Sequence, residues 1–156
     1  GMRPQGGAVG SNFVVQARQG TPLTIFGDGN QTRSFCYADD LVRGITALLL
    51  IDSDKSVEER TNRASFLTKS EEPLPETMHD PVNIGNPREL TVKQIADLVL
   101  KLTGSRSKIE HRPLPVDDPK VRRPDIRRAK QLLGWEPQVE LEAGLKKTIE
   151  YFRRVV

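Results

Sequence analysis

The sequence has 156 residues, of which 36% are hydrophobic and 29% are charged, with a formal net charge of +3. This size suits one globular domain with a real core, and the charge balance is too mild to indicate a nucleic-acid partner. No apolar run approaches the roughly 20 residues that span a bilayer, and no secretory signal is present. We therefore expect no membrane contact from this segment and a cytoplasmic location, with an anchor upstream of the segment left open.

The sequence offers no combination of residues typical of a metal centre or a thiol nucleophile. The single cysteine, Cys36, excludes an internal disulfide and fits a reducing compartment. His79 and His111 have no second histidine or cysteine at ligand spacing, so no metal site is predicted. Cys36 lies among aromatic residues, where the role of a small buried hydrophobe is expected.

The first part of the chain predicts a helix followed by two strands. Residues 11–19 read as a helix that Gly20 ends. Residues 22–26 form a β-rich run, and "GDGN" at 27–30 is a turn signal that we interpret as a hairpin. The alternation in 32–37 then predicts the second strand of that hairpin.

A second helix and a long polar stretch follow. Asp39 or Asp40 is predicted to cap the helix, a reading we prefer to a pair of acid/base carboxylates. The apolar residues at helical spacing are Leu41, Val42, Ile45, Leu48 and Leu49. Residues 52–80 are rich in Asp, Glu, Lys, Ser and Pro, and we interpret them as a surface insertion.

The chain then returns to regular structure. Residues 81–85, "PVNIG", predict a short strand. Thr91 and Gln94 have the spacing of a capping box, which predicts the start of a helix over 92–103 that ends at Gly104.

The last part of the chain predicts a strand and two helices. Residues 108–112 have the pattern of a strand, and 125–133 that of a helix closed by Gly134. Trp135 is expected to pack on the core, and a final amphipathic helix begins at about 141. Short strands separated by helices indicate an α/β protein.

An arginine cluster lies in "KVRRPDIRRAKQLLGWEP", residues 120–137. Cations are mildly unfavourable at helix N-termini, so helix stability does not explain Arg122, Arg123, Arg127 and Arg128. One reading is a solvated charged face, and the other is an anion site for phosphate.

Arg33 offers a second cation at the end of a different element. It could be an exposed cross-strand partner, or it could converge with Arg122 on a diphosphate, because the guanidinium fork matches phosphate oxygens. The sequence holds no Gly-rich strand-to-helix turn of the dinucleotide type and no Walker-type phosphate loop.

Three stretches together resemble a known family. Residues 11–44, 81–99 and 117–152 are similar to extended short-chain dehydrogenases/reductases that act on nucleotide sugars, and within them to the UDP-glucuronate decarboxylase branch. The decarboxylase resemblance rests on "QTRSFCY", "NIGNP" and "RRPDI…LGWEP". It implies the fold of the small mixed α/β substrate-binding domain of an NAD-dependent epimerase/dehydratase, with residues 1–156 forming one nucleotide-sugar domain and 52–80 an insertion.

The resemblance also implies a UDP-sugar site, for UDP-glucuronate or UDP-xylose. Its residues are Asn12, Thr24, Ile25, Phe26, Arg33, Asn83 and Arg122. In the family, Asn12 would meet the sugar diphosphate, 24–26 would hold the uracil largely through backbone groups, and Asn83 would contact the nucleotide. Arg33 and Arg122 would reach the phosphates, whereas Arg127 and Arg128 would face water.

The sequence departs from the family in its catalytic apparatus. The family reaction uses a Rossmann NAD-binding domain and a Tyr-x-x-x-Lys pair, and NAD oxidises the sugar at C4 before carbon dioxide is lost. Neither feature is present, since Tyr37 and Tyr151 have no lysine four residues on. We expect NAD in the full-length relative but not on this chain, no catalytic residue, and a chain that is catalytically silent by itself.

The sequence also allows other functional assignments. A sibling alternative is the same part of a dTDP-glucose 4,6-dehydratase or a UDP-glucose 4-epimerase, because the residues that separate these activities lie mostly in the half of the family sequence that this chain lacks. A non-catalytic module that senses nucleotide sugars, or an interaction module, is a different class. An apolar surface that normally meets another domain would favour a homo-oligomer.

Overall fold

The computed structural model describes residues 9–50, 81–114, 121 and 123–155. Its helices and strands, in chain order, are α1 (Val9–Gln19), β1 (Leu23–Phe26), β2 (Thr32–Ser34), α2 (Ala38–Leu49), β3 (Glu89–Thr91), α3 (Val92–Thr103), β4 (Ile109–Arg112), α4 (Arg127–Leu133) and α5 (Leu141–Val155). They fall into two compact units. Of the described residues, unit 1 contains 9–33, 89–114, 121 and 140–155, and unit 2 contains 34–50, 81–88 and 123–139.

Unit 1 is built around a parallel pair of strands. β1 lies beside β4, with Leu23 opposite Ile109 and Phe26 opposite Arg112. Helix α1 packs against α3 and α5. The buried apolar side chains of unit 1 are Phe13, Val14, Ala17, Leu23, Ile25, Val92, Ile95, Ala96, Val99 and Ile149. The α/β class expected from the pattern of short strands and helices is confirmed.

Helix α3 begins and ends where the sequence predicts. The Thr91 hydroxyl accepts from the Gln94 backbone N–H at 3.1 Å, and the Gln94 side chain accepts from the Thr91 N–H at 2.8 Å. This capping box supplies partners for two backbone donors at the start of the helix. Gly104 ends α3 in the left-handed region, with φ of 66°.

The hairpin predicted at 27–30 is wrong, although the turn itself is present. Gly27 and Gly29 have positive φ angles, but β1 pairs with β4 and β2 pairs with β3. The Gly27 N–H donates to Arg112 O, and the Lys93 N–H donates to Gly29 O. The turn therefore carries the chain to the start of α3, because hydrogen bonds to distant residues outweigh local hairpin geometry.

Unit 2 has a small core around its single tryptophan. Trp135 is 2% exposed and clusters with Ile126 and Ala129. Its indole N–H donates to the Asp40 carbonyl at 3.0 Å. The partly buried residues packed against this cluster are Cys36, Val82, Ile84 and Leu133. The prediction that Trp135 packs on the core is confirmed.

The predicted capping role of Asp39 or Asp40 is wrong. Helix α2 begins after Tyr37, and no side chain caps it. The Asp40 carboxylate is buried and accepts from the backbone N–H groups of Gln138 and Val139, at 3.0 and 2.9 Å. The carboxylate in the first turn of α2 thus points inward and serves as the acceptor for two backbone donors elsewhere in the chain, in hydrogen bonds that are partly buried.

One predicted strand is shorter than expected, and another predicted strand is absent. The strand predicted over 32–37 ends at Ser34, and Cys36 lies beyond it. Residues 81–85 form no strand, since no described residue provides a ladder partner for them. The predicted helix over 125–133 begins at Arg127 and ends at Gly134, which has a φ of 58°.

The remaining predictions concern the surface and the insertion. In the described part of the chain, no helix is long and apolar enough to cross a membrane. The insertion predicted at 52–80, with His79, lies outside the described residues.

Candidate functional site

Helix α1 and strand β1 are joined by one glutamine side chain. Gln16 accepts from the Thr24 backbone N–H at 3.1 Å and donates to the Thr24 hydroxyl at 3.2 Å. Asn12 precedes Gln16 by four residues, so both side chains lie on the same face of α1. Unit 1 therefore directs the face that carries Asn12 toward the strand that carries Thr24.

The backbone of β1 offers polar groups at the edge that, among the described residues, no strand pairs with. Leu23 and Gly27 donate their N–H groups toward the β4 side, whereas the Thr24 N–H donates to Gln16 on the other side. Successive residues of a strand direct their hydrogen-bonding groups to opposite edges. The Thr24 carbonyl and the Phe26 N–H therefore face the edge away from β4, one as an acceptor and the other as a donor.

The carboxyl end of β1 carries an exposed apolar surface. Phe26 is 44% exposed and Leu114 is 40% exposed. A Cβ added at Gly27 would lie 3.3 Å from the Leu114 Cδ1, so the backbone approaches this leucine closely. His111, on β4, makes a 2.8 Å hydrogen bond through Nδ1 with the Gly27 carbonyl, which fixes the turn against β4.

Arg33 lies on β2, and its strand is anchored next to β3. The Thr32 hydroxyl donates to the Glu89 carboxylate at 2.6 Å. Arg33 is half-buried, and its Nη1 donates to the Thr32 carbonyl at 2.7 Å. The guanidinium is thus held close to the backbone of its own strand.

In unit 2, Asp125 organises the start of α4. Its carboxylate accepts from the Arg127 side chain at 2.6 to 3.1 Å and from the Arg127 backbone N–H at 3.0 Å. These hydrogen bonds lower the pKa of Asp125 to about 2. Asn83 donates to the Asp125 carbonyl at 3.2 Å. An open cavity of about 380 Å³ beside this cluster is lined by Pro87, Arg123, Pro124, Asp125, Ile126, Arg127 and Lys130.

The residues predicted for the nucleotide-sugar site are distributed over both units. Five lie in unit 1 and Asn83 lies in unit 2; the five are Asn12, Thr24, Ile25, Phe26 and Arg33. Arg122 lies outside the described residues. The Ile25 side chain is fully buried in the core, so only its backbone could meet a ligand.

The arginine cluster separates into different environments. Arg127 is exposed and pairs with Asp125, as expected for a residue facing water. Arg128 is half-buried, so the expectation that it faces water is wrong. It lies next to Ala129, whose burial in the Trp135 cluster turns this part of α4 inward.

Two residues of this region were missed by sequence reasoning. Gln16 was within reach, because its spacing from Asn12 places both on one helix face. His111 carried no such signal, since its partner Gly27 is 84 residues away in the chain. Burial raises the pKa of the Cys36 thiol, in keeping with the packing role predicted for it. In the described ranges, no group of three or more His, Cys, Asp or Glu residues could hold a metal ion.

The comparison with known families decides the classification. The family described as GDP-mannose 4,6 dehydratase matches residues 10–148. The chain belongs to this family. The resemblance to extended short-chain dehydrogenases/reductases that act on nucleotide sugars is thereby confirmed.

Two curated relatives of this chain are both named as UDP-glucuronic acid decarboxylases. UDP-glucuronic acid decarboxylase 1 of Danio rerio is 46% identical over 153 residues, which is 98% of this chain and 31% of the relative. UDP-glucuronic acid decarboxylase 4 of Arabidopsis thaliana is 41% identical over 151 residues, which is 96% of this chain and 28% of the relative. The chain thus spans less than a third of the length of these relatives.

Solved structures of similar fold include two sugar-nucleotide epimerases. UDP-glucose 4-epimerase of Thermotoga maritima, solved with UDP-glucose, matches 98% of this chain and 42% of its own, with a TM-score of 0.75 and 30% identity. UDP-glucuronic acid 4-epimerase of Bacillus cereus, solved with UDP-glucuronic acid and NAD, matches 99% of this chain and 41% of its own, with a TM-score of 0.77 and 27% identity. The fold of this chain is that of the corresponding part of these enzymes.

Proposed function

We propose that this chain binds UDP-glucuronate as the nucleotide-sugar-binding part of an NAD-dependent UDP-glucuronate decarboxylase. The observation that carries the proposal is the 46% identity to the Danio rerio decarboxylase over 98% of the chain. The proposal treats residues 1–156 as the substrate-binding segment, with 52–80 as an insertion. The overall reaction converts UDP-glucuronate to UDP-xylose and carbon dioxide.

The edge of β1 away from β4 supports the uracil part of the proposal. Uracil presents a ring N–H donor beside carbonyl acceptors, and the Thr24 carbonyl and Phe26 N–H offer the matching acceptor and donor. The exposed Phe26 ring provides an apolar face next to them. The backbone, rather than any side chain, would therefore select the imide edge of the base.

The cations and the α1 face support the diphosphate part. Asn12 lies on the same face of α1 as Gln16, which holds Thr24, so a ligand at β1 would lie within the same unit as this amide. Arg33 presents a planar guanidinium suited to phosphate oxygens, and we assign Arg122 the same role. Asn83 is proposed as a further contact to the nucleotide.

NAD is assigned to no residue of this chain. When bound to the full-length enzyme, it would accept and return a hydride at the sugar. In the described ranges the glycines with positive φ follow helices or lie between β1 and β2, so none forms a strand-to-helix cradle for a pyrophosphate. The proposed task of this segment is to bind and orient the sugar nucleotide.

A titration of the 156-residue chain with UDP-glucuronate, followed by NMR, tests the proposal. We expect saturable chemical-shift changes at the Thr24 and Phe26 amides. Arg33→Ala and Arg122→Ala should each weaken binding at least tenfold, which corresponds to a loss of about 1.4 kcal/mol or more in binding free energy. Arg106→Ala is the matched control, because it removes an exposed arginine of unit 1 and should leave the affinity unchanged.

Two results would contradict the proposal. One is equal weakening by all three arginine substitutions, which would indicate charge attraction without a site. The other is the absence of any shift at about millimolar ligand, the weak end of the range of measured affinities.

The same titration also tests the alternative assignment, in which this chain is part of a UDP-glucose 4-epimerase. The Thermotoga maritima structure was solved with UDP-glucose, which favours that ligand as the second candidate. Tighter binding of UDP-glucose than UDP-glucuronate would replace the decarboxylase assignment with an epimerase assignment. Incubation of the chain with NAD and UDP-glucuronate should yield no UDP-xylose by chromatography.

A further inference from the structure

Two glutamine side chains bind the backbone of β1 along the edge away from β4. The side-chain oxygen of Gln16 accepts from the Thr24 N–H at 3.1 Å, and its amide nitrogen donates to the Thr24 hydroxyl at 3.2 Å. Farther along the strand, the side-chain amide of Gln31 donates to the Phe26 carbonyl at 2.6 Å. Because a backbone N–H only donates and a carbonyl only accepts, each backbone group fixes how its glutamine amide is turned.

The two side chains supply hydrogen bonds that a neighbouring strand would supply in a wider sheet. Among the described residues β1 pairs with β4 alone, and a pair of strands is only marginally stable by itself. The second edge of such a strand presents N–H and carbonyl groups that need partners. Gln16 provides the acceptor at one end of this edge and Gln31 provides the donor at the other. Residues 24 and 26 are therefore held extended without a third strand.

The groups between the two glutamines are those that the proposed uracil contact uses. The order along this edge is Thr24 N–H, Thr24 carbonyl, Phe26 N–H and Phe26 carbonyl, because alternate residues of a strand face the same edge. The outer two groups are bound by the glutamines. In the part of the chain that the structure describes, the inner two groups have no hydrogen-bond partner. A ligand at this edge therefore meets one acceptor and one donor, fixed from both sides.

The two glutamine contacts differ in burial. The Gln16–Thr24 hydrogen bonds are partly buried, whereas the Gln31–Phe26 hydrogen bond is exposed. Water replaces a lost partner more readily at an exposed group than at a buried one, so loss of the Gln16 side chain should have the larger effect. The Gln16 backbone carbonyl accepts separately from the Thr21 N–H at 3.1 Å. Substitution of the side chain leaves that backbone hydrogen bond in place.

We propose that Gln16 and Gln31 are positioning residues for the nucleotide base. They hold the Thr24 carbonyl and the Phe26 N–H in the geometry that binds an imide edge such as that of uracil. The inference rests on the proposed function, because it assigns these two side chains a task at the same site. Neither side chain needs to touch the base. Binding is tighter when the strand is already ordered, since the entropy of ordering it is not lost on binding.

The test measures UDP binding to leucine variants of the 156-residue chain by NMR titration. Gln16→Leu should weaken binding about tenfold, because the partly buried Thr24 N–H loses its acceptor and the strand is no longer held. Gln31→Leu should weaken binding about threefold, because water replaces the lost donor. Gln19→Leu is the matched control, since Gln19 is an exposed glutamine of the same helix as Gln16, and it should leave the affinity unchanged.

Glutamate variants separate hydrogen-bond direction from charge. Gln16→Glu keeps an oxygen that accepts from the Thr24 N–H, so it should restore most of the affinity lost in Gln16→Leu. Gln31→Glu places a carboxylate against the Phe26 carbonyl, so it should bind UDP more weakly than Gln31→Leu. Gln19→Glu measures the effect of the added charge alone, which is subtracted from both. Hydrogen exchange of the Thr24 amide should be faster in Gln16→Leu and slow again in Gln16→Glu.

Three results would overturn the inference. The first is fast exchange of the Thr24 amide in Gln16→Leu with unchanged UDP affinity, which would show that the contact does not serve binding. The second is the same effect of glutamate at positions 16 and 31. The third is the absence of UDP binding by the unmodified chain, which alone would also overturn the proposed function. If Gln16→Leu does not fold, the Gln31 pair and Gln16→Glu decide the outcome.

Discussion

The two units reach stability in different ways. Unit 1 buries apolar side chains from α1, α3, α5 and the β1–β4 pair, such as Val14, Leu23 and Val99. Unit 2 buries few apolar residues and depends on the buried carboxylate of Asp40, which joins α2 to the chain that follows Trp135. Apolar packing is distributed over many contacts, whereas a buried carboxylate concentrates its contribution in a few directional bonds.

This difference predicts different sensitivities to mutation. Replacing a helix-capping side chain in unit 1 should lower the free energy of unfolding only modestly. Removing the buried polar side chain of unit 2 should lower it much more. The single tryptophan, Trp135, lies in unit 2, so its fluorescence reports the unfolding of that unit.

The largest expected effect is that of Asp40→Ala. The change leaves the N–H groups of Gln138 and Val139 without their acceptor and should lower the free energy of unfolding by about 3 kcal/mol. Urea unfolding followed by Trp135 fluorescence measures it. Asp39→Ala, an exposed acid in the same turn, is the control and should cost less than about 1 kcal/mol.

Acid should act through the same carboxylate. Burial tends to raise the pKa of Asp40, but hydrogen bonds from Arg43, Val139 and Gln138 outweigh it and hold the pKa below its ordinary value of 3.8. The stabilisation is therefore present above that value and is lost as the pH falls through the lower folded value. Asp40→Asn should flatten this acid-dependent decline, and an unchanged decline would contradict the role of Asp40.

Gly44→Ala should give the next largest effect. The added Cβ would lie 2.5 Å from the Ile84 Cγ2 and 2.9 Å from the Trp135 Nε1. Overpacking of this kind should cost about 2 kcal/mol, despite the better helix propensity of alanine. Trp135 fluorescence again reports it. Thr46→Ala, at an exposed position of α2, should change stability little, and equal effects would contradict the close packing.

Thr91→Ala should have a smaller effect, in unit 1. It removes the hydroxyl that accepts from the Gln94 N–H and should cost about 1 kcal/mol. Hydrogen exchange of the α3 amides measures the loss. Thr91→Ser, which keeps the hydroxyl, should restore most of the protection, and no rescue would show that the methyl group matters instead.

The smallest effect is expected at Asp125. Its pKa of about 2 results from the side chain and the backbone N–H of Arg127, so Arg127→Ala should raise it toward 3.8. Its stabilising contribution is present above 3.8 and is lost as the pH falls toward 2. Because the pair is exposed, that contribution should stay below about 1 kcal/mol. NMR titration of the carboxyl carbon measures the shift, and Lys130→Ala, which breaks a different exposed ion pair, should leave it unchanged.

Local signals predicted the helices well. The Thr91–Gln94 capping box and Gly104 marked both ends of α3, and Gly134 marked the end of α4. These features depend on residues within four or five positions of each other, so a sequence displays them directly. The motif that carried Asn12, Thr24 and Arg33 was likewise continuous in the sequence, and the family it indicated was confirmed.

Pairing between distant residues was not predictable in the same way. The turn at 27–30 has hairpin residues, yet β1 pairs with β4, more than 80 residues later. Asp40 resembles a helix cap, yet it binds donors near residue 138. Each local interpretation was chemically reasonable. In each case the structure instead pairs the residues with a distant part of the chain that the sequence pattern does not indicate.

The sequence by itself therefore determined both ends of α3, the glycine that ends α4 and the family, because these depend on short contiguous patterns. Only the tertiary structure decided which strands pair, where the Asp40 carboxylate is used, and that Val42, Ile45 and Leu49 of α2 are exposed. The physical reason is that hydrogen-bond partners and burial are set by the three-dimensional approach of distant segments, and composition and spacing do not determine that approach.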